Sequence, residues 1–385
     1  MIIKNLKLKL CLVKVVFPVL SFINKHINHN KNVILIYNNL SFRDNNLAVY
    51  EYLIAHGYNQ KYKIIVTSTD YQEYLKDAPS NVYFVGPLKS ILWFFKSKFV
   101  FYCIGKIPID YGKGQKTIYM NHGMFIKGFS KGQLAQAKDA PRQFTYFMVT
   151  GSVFVKPTKD NFPFSDDRII INGNPTADWT LGPNPHYDFG EYKKLIMWAP
   201  TFRKSSSMNM NDVGDSDDEL VPILKINELK EVNDYLKSIG VKIVVKLHPE
   251  QRLDKYNLVD MDHLVILSHQ EFSRRNMEIN HFMAQCDGLI TDYSSVFYNY
   301  LLLDRPLGFT EDDIEQYGNT RGFAMDPQKF RPGMRIHTKE DICKFAYNVL
   351  EGKDDFADER RNLASVVNIP SNEMYTKRLL DFMGV

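Results

Sequence analysis

Short apolar runs alternate along this chain with stretches in which apolar residues recur every three or four positions. The runs have the length of buried strands, and the periodic stretches have the one-sided apolar face of helices. In the first half the runs are NVILIYN (32–38), KIIVTST (63–69), FVFYCI (99–104), KTIYMNHG (116–123), YFMVTG (146–151) and RIIINGNP (168–175). LAVYEYLIAHG (47–57) fills the helical role between the first two and stops at a glycine, as helices do. A Pro- and Gly-rich stretch, TLGPNPHYDFGEY (180–192), interrupts the pattern and reads as a domain linker. The alternation then restarts with KKLIMWAPTF (193–202), VKIVVKLHPE (241–250), HLVILSH (263–269), CDGLITDY (286–293) and RPLGFT (305–310), with helical stretches near 223–239, 276–285 and 295–303. RKSSSMNMNDVGDSDDEL (203–220) is polar and acidic and reads as a long exposed loop. Alternation of this kind predicts an α/β architecture of two doubly wound domains with parallel sheets, whose ligands bind beyond the carboxyl ends of the strands.

Composition narrows the class. Hydrophobic residues make up 44% and charged residues 24% of 385, which is globular and long enough for two cores. A net charge of +4 gives no bulk electrostatic case for nucleic acid. The four cysteines (Cys11, Cys103, Cys286, Cys343) lie far apart, which fits a reducing compartment and offers neither a disulfide framework nor a zinc knuckle. The first 30 residues combine Lys4, Lys7, Lys9, Lys14 and Lys25 with apolar positions. Lys14 and Pro18 interrupt the run of about 20 apolar residues that a membrane span needs, and no signal-peptide cleavage pattern is present. Two readings fit this segment: a basic, apolar stretch lying on an anionic membrane surface, or an ordinary first helix packed on its domain.

The strand ends carry the candidate chemistry. YMNHG brings Asn121, His122 and Gly123; WAPTFRK brings Thr201, Arg203 and Lys204; VVKLHPE brings Lys246, His248 and Glu250; LITDYSS brings Thr291, Asp292, Ser294 and Ser295; and TRGF adds Arg321. Taken singly, each has a plain structural reading. A strand-end histidine is ordinarily a packing or hydrogen-bonding residue, and Thr-Asp-Tyr-Ser-Ser is what helix capping alone selects. Taken together, Arg203, Lys204, Lys246, Arg321 and a hydroxyl-rich helix start suit a diphosphate and its developing charge. A histidine from the other half suits a general base acting on an acceptor hydroxyl. Neither a Walker A pattern nor a G-x-G-x-x-G after a strand is present, and no cluster has metal-ligand spacing, so transfer without metal or cofactor is the expectation.

In their order, NHGMFIKG, GNPTADW, WAPTFR, KLHPE, ITDYSSVFYNYLLLDRP and RGF…PG resemble the motifs of the CDP-glycerol glycerophosphotransferase family, which includes teichoic acid primases and polymerases and related capsule-polymer transferases. The resemblance runs from about residue 41 to about residue 338. It implies a GT-B arrangement, two Rossmann-like domains facing a central cleft. The corresponding division is a membrane-surface segment (1–30), an acceptor-side domain (31–182), a donor-binding domain (183–345) and C-terminal helices (346–385). By motif match, His122 and His248 would be catalytic. Arg203, Lys246, Thr291, Asp292, Ser294, Ser295 and Arg321 would bind the donor, and Asn121, Gly123 and Lys127 would lie on the acceptor side. The implied substrates are CDP-glycerol or CDP-ribitol and a lipid-linked glycan acceptor. The implied location is peripheral, on the cytoplasmic face of the bacterial cell membrane.

The sequence departs from the family in three places. W-H-G-T-P-L-K is here Asn121-His122-Gly123-Met124-Phe125-Ile126-Lys127, GYPRND is GNPTAD, and PGP is Pro332-Gly333-Met334. Residues 124–126 are expected where an acceptor touches. Two other readings stay open: a GT-B glycosyltransferase using a nucleotide sugar, and an idle membrane-bound binding module.

Overall fold

The computed structural model describes residues 11–129, 134, 137–201, 204–205, 210–211, 219–247, 261–311, 314–320 and 322–385. It comprises two compact units, Met1–Met124 with Lys131–Asp178 and Val367–Val385, and Phe125–Ser130 with Trp179–Val366.

The first unit is built on seven strands: β1 (Asn30–Tyr37), β2 (Lys63–Thr67), β3 (Val82–Val85), β4 (Ser97–Tyr102), β5 (Lys116–Tyr119), β6 (Tyr146–Val149) and β7 (Ile169–Ile171). Their order is β3-β2-β1-β4-β5-β6-β7, parallel throughout. Parallel neighbours need crossovers that cover both sheet faces, so the strands must be apolar on both sides. Val33–Ile36 and Ile64–Val66 are buried accordingly. β3 was not foreseen; it is a four-residue strand whose Tyr83 faces outward, too short to stand out.

The second unit carries β8 (Lys194–Ala199), β9 (Val241–Lys246), β10 (Leu264–Leu267), β11 (Gly288–Thr291), β12 (Leu307–Thr310) and β13 (Met334–Ile336). They are again all parallel, in the order β10-β9-β8-β11-β12-β13. Three-residue β13 escaped the sequence pattern. Within 203–220, expected to be loop, the backbone at Lys204–Ser205 and Met210–Asn211 pairs as an antiparallel ribbon.

The linear domain division gives way at two segments. Phe125–Ser130 belongs to the second unit, because Ile126 to Gly128 pairs its backbone with 322–324. The C-terminal helices divide between the units. Lys339–Glu351 packs Ile342, Phe345 and Val349 into the second core, whereas Tyr375–Met383 packs Leu379, Leu380 and Met383 into the first. The last helix is anchored by GNPTAD: the Asp178 carboxylate accepts from the backbone N–H groups of Tyr375 (2.6 Å) and Thr376 (2.8 Å). A Cβ on Gly173 would stand 2.3 Å from the Tyr375 ring, so only glycine fits there.

In each sheet the strand order reverses once. The reversal falls between β1 and β4 in the first unit and between β8 and β11 in the second. A crevice opens above the strand ends at such a point, where open α/β sheets hold their ligands.

Candidate active site

In the first unit the carboxyl edge at the reversal is lined by asparagines. After β1, Asn38 is fully buried and its side-chain oxygen accepts from Ile104 N (3.2 Å) and Asn46 Nδ2 (2.8 Å). Asn46 Nδ2 also donates to the Tyr37 carbonyl (2.8 Å), so the start of helix Asp44–Ala55 is tied to the end of β1. β5 ends just before Asn121, which takes a positive φ of 60° and turns the chain so that His122 is exposed. Asparagine is among the few side chains that accept this conformation at modest cost. His122 lies close enough to Asp44 for its charge to act on that carboxyl. Burial pushes the Asp44 carboxyl above the usual carboxylate range, with His122 and Arg43 acting against it.

In the second unit β8, β9 and β11 end side by side. Thr291 lies opposite Ala199, and Val245, the residue before Lys246, lies opposite Trp198. Asp292 is fully buried: one carboxylate oxygen accepts from Thr201 N (2.7 Å), and the other from the Thr201 hydroxyl and from Tyr293 N. The Thr291 hydroxyl is also buried and donates to the Ala199 carbonyl (2.8 Å). Both residues, expected to meet the donor, therefore fasten β11 to the loop after β8. Ser294 and Ser295 are the half-exposed members of the motif. The expected helix 295–303 is one α turn, Phe297–Tyr300, followed by a 3₁₀ turn, Leu301–Leu303. So short a helix has little macrodipole to offer an anion, since the dipole is a sum over aligned peptides. Lys246, at the tip of β9, is half-exposed, with its ammonium 5.4 Å from the centre of the Phe272 ring. Replacing Asp292 by Ala should lower the stability of the second unit by about 3 kcal/mol, because charge-assisted bonds to Thr201 are lost. A melting temperature within a degree of the parent's would contradict that role.

The model of the family described as CDP-Glycerol:Poly(glycerophosphate) glycerophosphotransferase matches residues 19–383. The chain belongs to this family. A teichoic acid ribitol-phosphate primase of Bacillus spizizenii (strain ATCC 23059 / NRRL B-14472 / W23) is 29% identical over 200 residues, which is 49% of this chain and 47% of that protein. A teichoic acid glycerol-phosphate transferase of Staphylococcus aureus (strain NCTC 8325 / PS 47) is 23% identical over 370 residues, 86% of this chain and 87% of that one. The chain spans about half the length of the ribitol-phosphate primase and poly(ribitol-phosphate) polymerase it matches. Among solved structures, the wall teichoic acid polymerase TagF superposes with a TM-score of 0.74 at 18% identity, covering 98% of this chain and 95% of that one. The two parallel-stranded units and this likeness give the chain a GT-B-like α/β fold.

The family's motifs divide, on this scaffold, into presenting and supporting residues. His122, Lys246, Ser294 and Ser295 have exposed or half-exposed side chains at carboxyl edges, and Asn121 and Gly123 flank the histidine. Arg203, His248 and Arg321 lie outside the described residues. Lys127, expected on the acceptor side, sits in the second unit, its backbone bridged to Phe323 and its ammonium 6.0 Å from the centre of the Tyr317 ring. Met124, Phe125 and Ile126, expected to touch an acceptor, are buried at 9% exposure or less, which leaves their side chains little surface to offer one. Among the described residues, no group of three or more His, Cys, Asp or Glu could hold a metal ion.

Sequence reasoning missed Asp44 and Asn45 beside the histidine, and the buried Arg331 beneath Tyr293, whose guanidinium lies 5.3 Å from the centre of that ring. The polar run Arg43-Asp44-Asn45-Asn46, between a predicted strand and the predicted helix 47–57, was the available signal for the first two.

Proposed function

We propose that the chain transfers an alditol phosphate from a CDP-activated donor to a hydroxyl of a lipid-linked or polymeric glycan, releasing CMP. The observation that carries this reading is the exposed His122, set at the carboxyl edge of the first unit by the turn at Asn121 in a chain of this family. The acceptor oxygen attacks the β-phosphorus of the CDP-alditol and forms a new phosphodiester. The bond from that phosphorus to the oxygen bridging to CMP breaks, and His122 takes the hydroxyl proton. Lys246, Ser294 and Ser295 contribute charge and hydrogen bonds to the diphosphate, with Arg203, His248 and Arg321 assigned to the same task by motif. Glycerol phosphate is the donor group we favour, from the family's description. Incubating the protein with CDP-glycerol, CDP-ribitol and UDP-sugars in turn, and scoring CMP or UDP release, tests donor class. UDP release alone would replace this reading with nucleotide-sugar glycosyl transfer, and nucleotide binding without any release would leave a binding module.

The reading extends to an anionic membrane surface on the cytoplasmic face, where a lipid-linked acceptor is presented. Among the described residues no helix is long and apolar enough to cross a membrane. Helix Phe17–His26 exposes Val19, Phe22 and Ile23, with Lys25 on the same helix and Lys14 before it, and helix Pro87–Lys96 exposes Leu88 and Leu92 beside Lys89 and Lys96. The two helices are linked through Gln115, which donates to the Phe94 carbonyl (2.8 Å) and accepts from Asn24 (3.0 Å). Exposed apolar side chains on helices that also carry lysines suit an interface of acyl chains and acidic headgroups. The double change Phe22→Glu, Leu92→Glu should cut binding to phosphatidylglycerol vesicles by at least about a hundredfold, given about 1.5–3 kcal/mol per buried apolar side chain. Undiminished co-sedimentation would remove this surface from the reading.

A further inference from the structure

Asn45 is 1% exposed, so it has almost no surface with which to meet a substrate, yet its amide bonds to two loops of the first unit's carboxyl edge, those after β5 and β7. Its Nδ2 donates to the Asn121 carbonyl at 2.8 Å and approaches Asn174 Oδ1 at 3.4 Å. Its Oδ1 accepts from the backbone N–H of Thr176 at 3.2 Å and from the Thr176 hydroxyl at 3.1 Å. The Asn121 carbonyl belongs to the peptide whose nitrogen is that of His122. Fixing that oxygen fixes the peptide plane from which the histidine projects. The same oxygen accepts from the Cys103 thiol at 3.1 Å, a weaker donor that shares the load. The restraint falls at a residue with φ of 60°, where the backbone otherwise gains by relaxing toward negative φ.

We propose that Asn45 is a positioning residue for His122: its amide bolts the Asn121–His122 peptide to the loop 173–176 and so sets the direction in which the imidazole meets the acceptor hydroxyl. This rests on the reading of His122 as the base. A capping or packing role alone would have called for a side chain bonded within its own helix, whereas each partner of Asn45 lies on another strand's loop.

Displacement of a reacting group by about 1 Å can cost about a hundredfold in rate. Asn45→Ala should therefore lower kcat for CMP release at least about tenfold while KM for CDP-glycerol stays within about twofold, since the donor-binding residues lie in the other unit. Thr176→Val removes only the hydroxyl bond on the far side of the amide and should leave kcat within about twofold. The deciding measurement is a double-mutant cycle: in a His122→Ala background, Asn45→Ala should change the residual rate by less than about twofold, because the two residues act as one unit. Should Asn45→Ala fail to fold, Asn45→Ser, whose hydroxyl is too short to span to Asn121, takes its place in every arm. Unchanged kcat in the folded variant, or full additivity with His122→Ala, overturns the inference. A fully active His122→Ala protein overturns instead the reading on which it rests.

Discussion

Replacing His122 by Ala should reduce CMP release from CDP-glycerol by about 10²–10⁴-fold, the usual contribution of a positioned general base. The change should leave stability within about 0.5 kcal/mol, because an exposed side chain at a strand end carries little packing. The two readouts together make the result diagnostic. A core histidine would lose both activity and stability; a solvated one outside the site would lose neither. His122→Asn should fall as far as Ala, since an amide can hydrogen-bond the acceptor hydroxyl but cannot take its proton. If the Ala protein transfers alditol phosphate at the parental rate, the assignment of the base is wrong and the donor site must supply it.

The largest stability effect is expected at Glu311. Its carboxylate is 7% exposed and faces two arginines, the fully buried Arg331 and Arg335, the latter at 3.0 Å. Arg331 also donates to the Pro327 carbonyl (3.0 Å), and Arg335 to the carbonyls of Arg331 (2.6 Å) and Gly333 (2.9 Å). Glu311→Ala takes the carboxylate from between two neighbouring guanidinium groups, and burial together with the neighbouring Arg331 already holds Arg335 below the usual arginine range. Removing one partner of a buried pair costs about 3–5 kcal/mol. A calorimetric transition lowered by several degrees is the expected result. The companion double change Glu311→Leu, Arg331→Met should recover part of the loss, because the fully buried guanidinium goes with its partner and only the partly exposed Arg335 is left without the Glu311 carboxylate. Loss in the double variant as deep as in the single would mean that the ion pair has a role beyond neutralising charge.

Most of the strands were legible in the sequence because parallel strands buried on both faces appear as unbroken apolar runs. β3 and β13 were not, being three or four residues long with part of one face in solvent. The candidate site was legible only in part, for a physical reason visible at Thr291-Asp292-Tyr293-Ser294-Ser295. Sequence shows that polar residues sit at a strand end, but not which of them turn upward to a ligand and which turn inward to hold the loop. Here Thr291 and Asp292 turn inward while Ser294 and Ser295 are left half-exposed. His122 could be picked out because a histidine and a glycine follow an apolar run. Asn45 could not, because its partners lie at residues 121, 174 and 176 and only the fold brings them within reach.

The return of helix Tyr375–Met383 to the first unit has a consequence for how the polypeptide is made. Residues that complete the first hydrophobic core, Leu379, Leu380 and Met383, are translated after the whole of the second unit. The domain that begins first on the ribosome is thus the last to close, and until then the Gly173 cradle and the Asp178 carboxylate wait without their helix. Nascent chains stalled before residue 375 should show the second unit protease-resistant and the first still open, the reverse of the usual N-to-C order of domain folding.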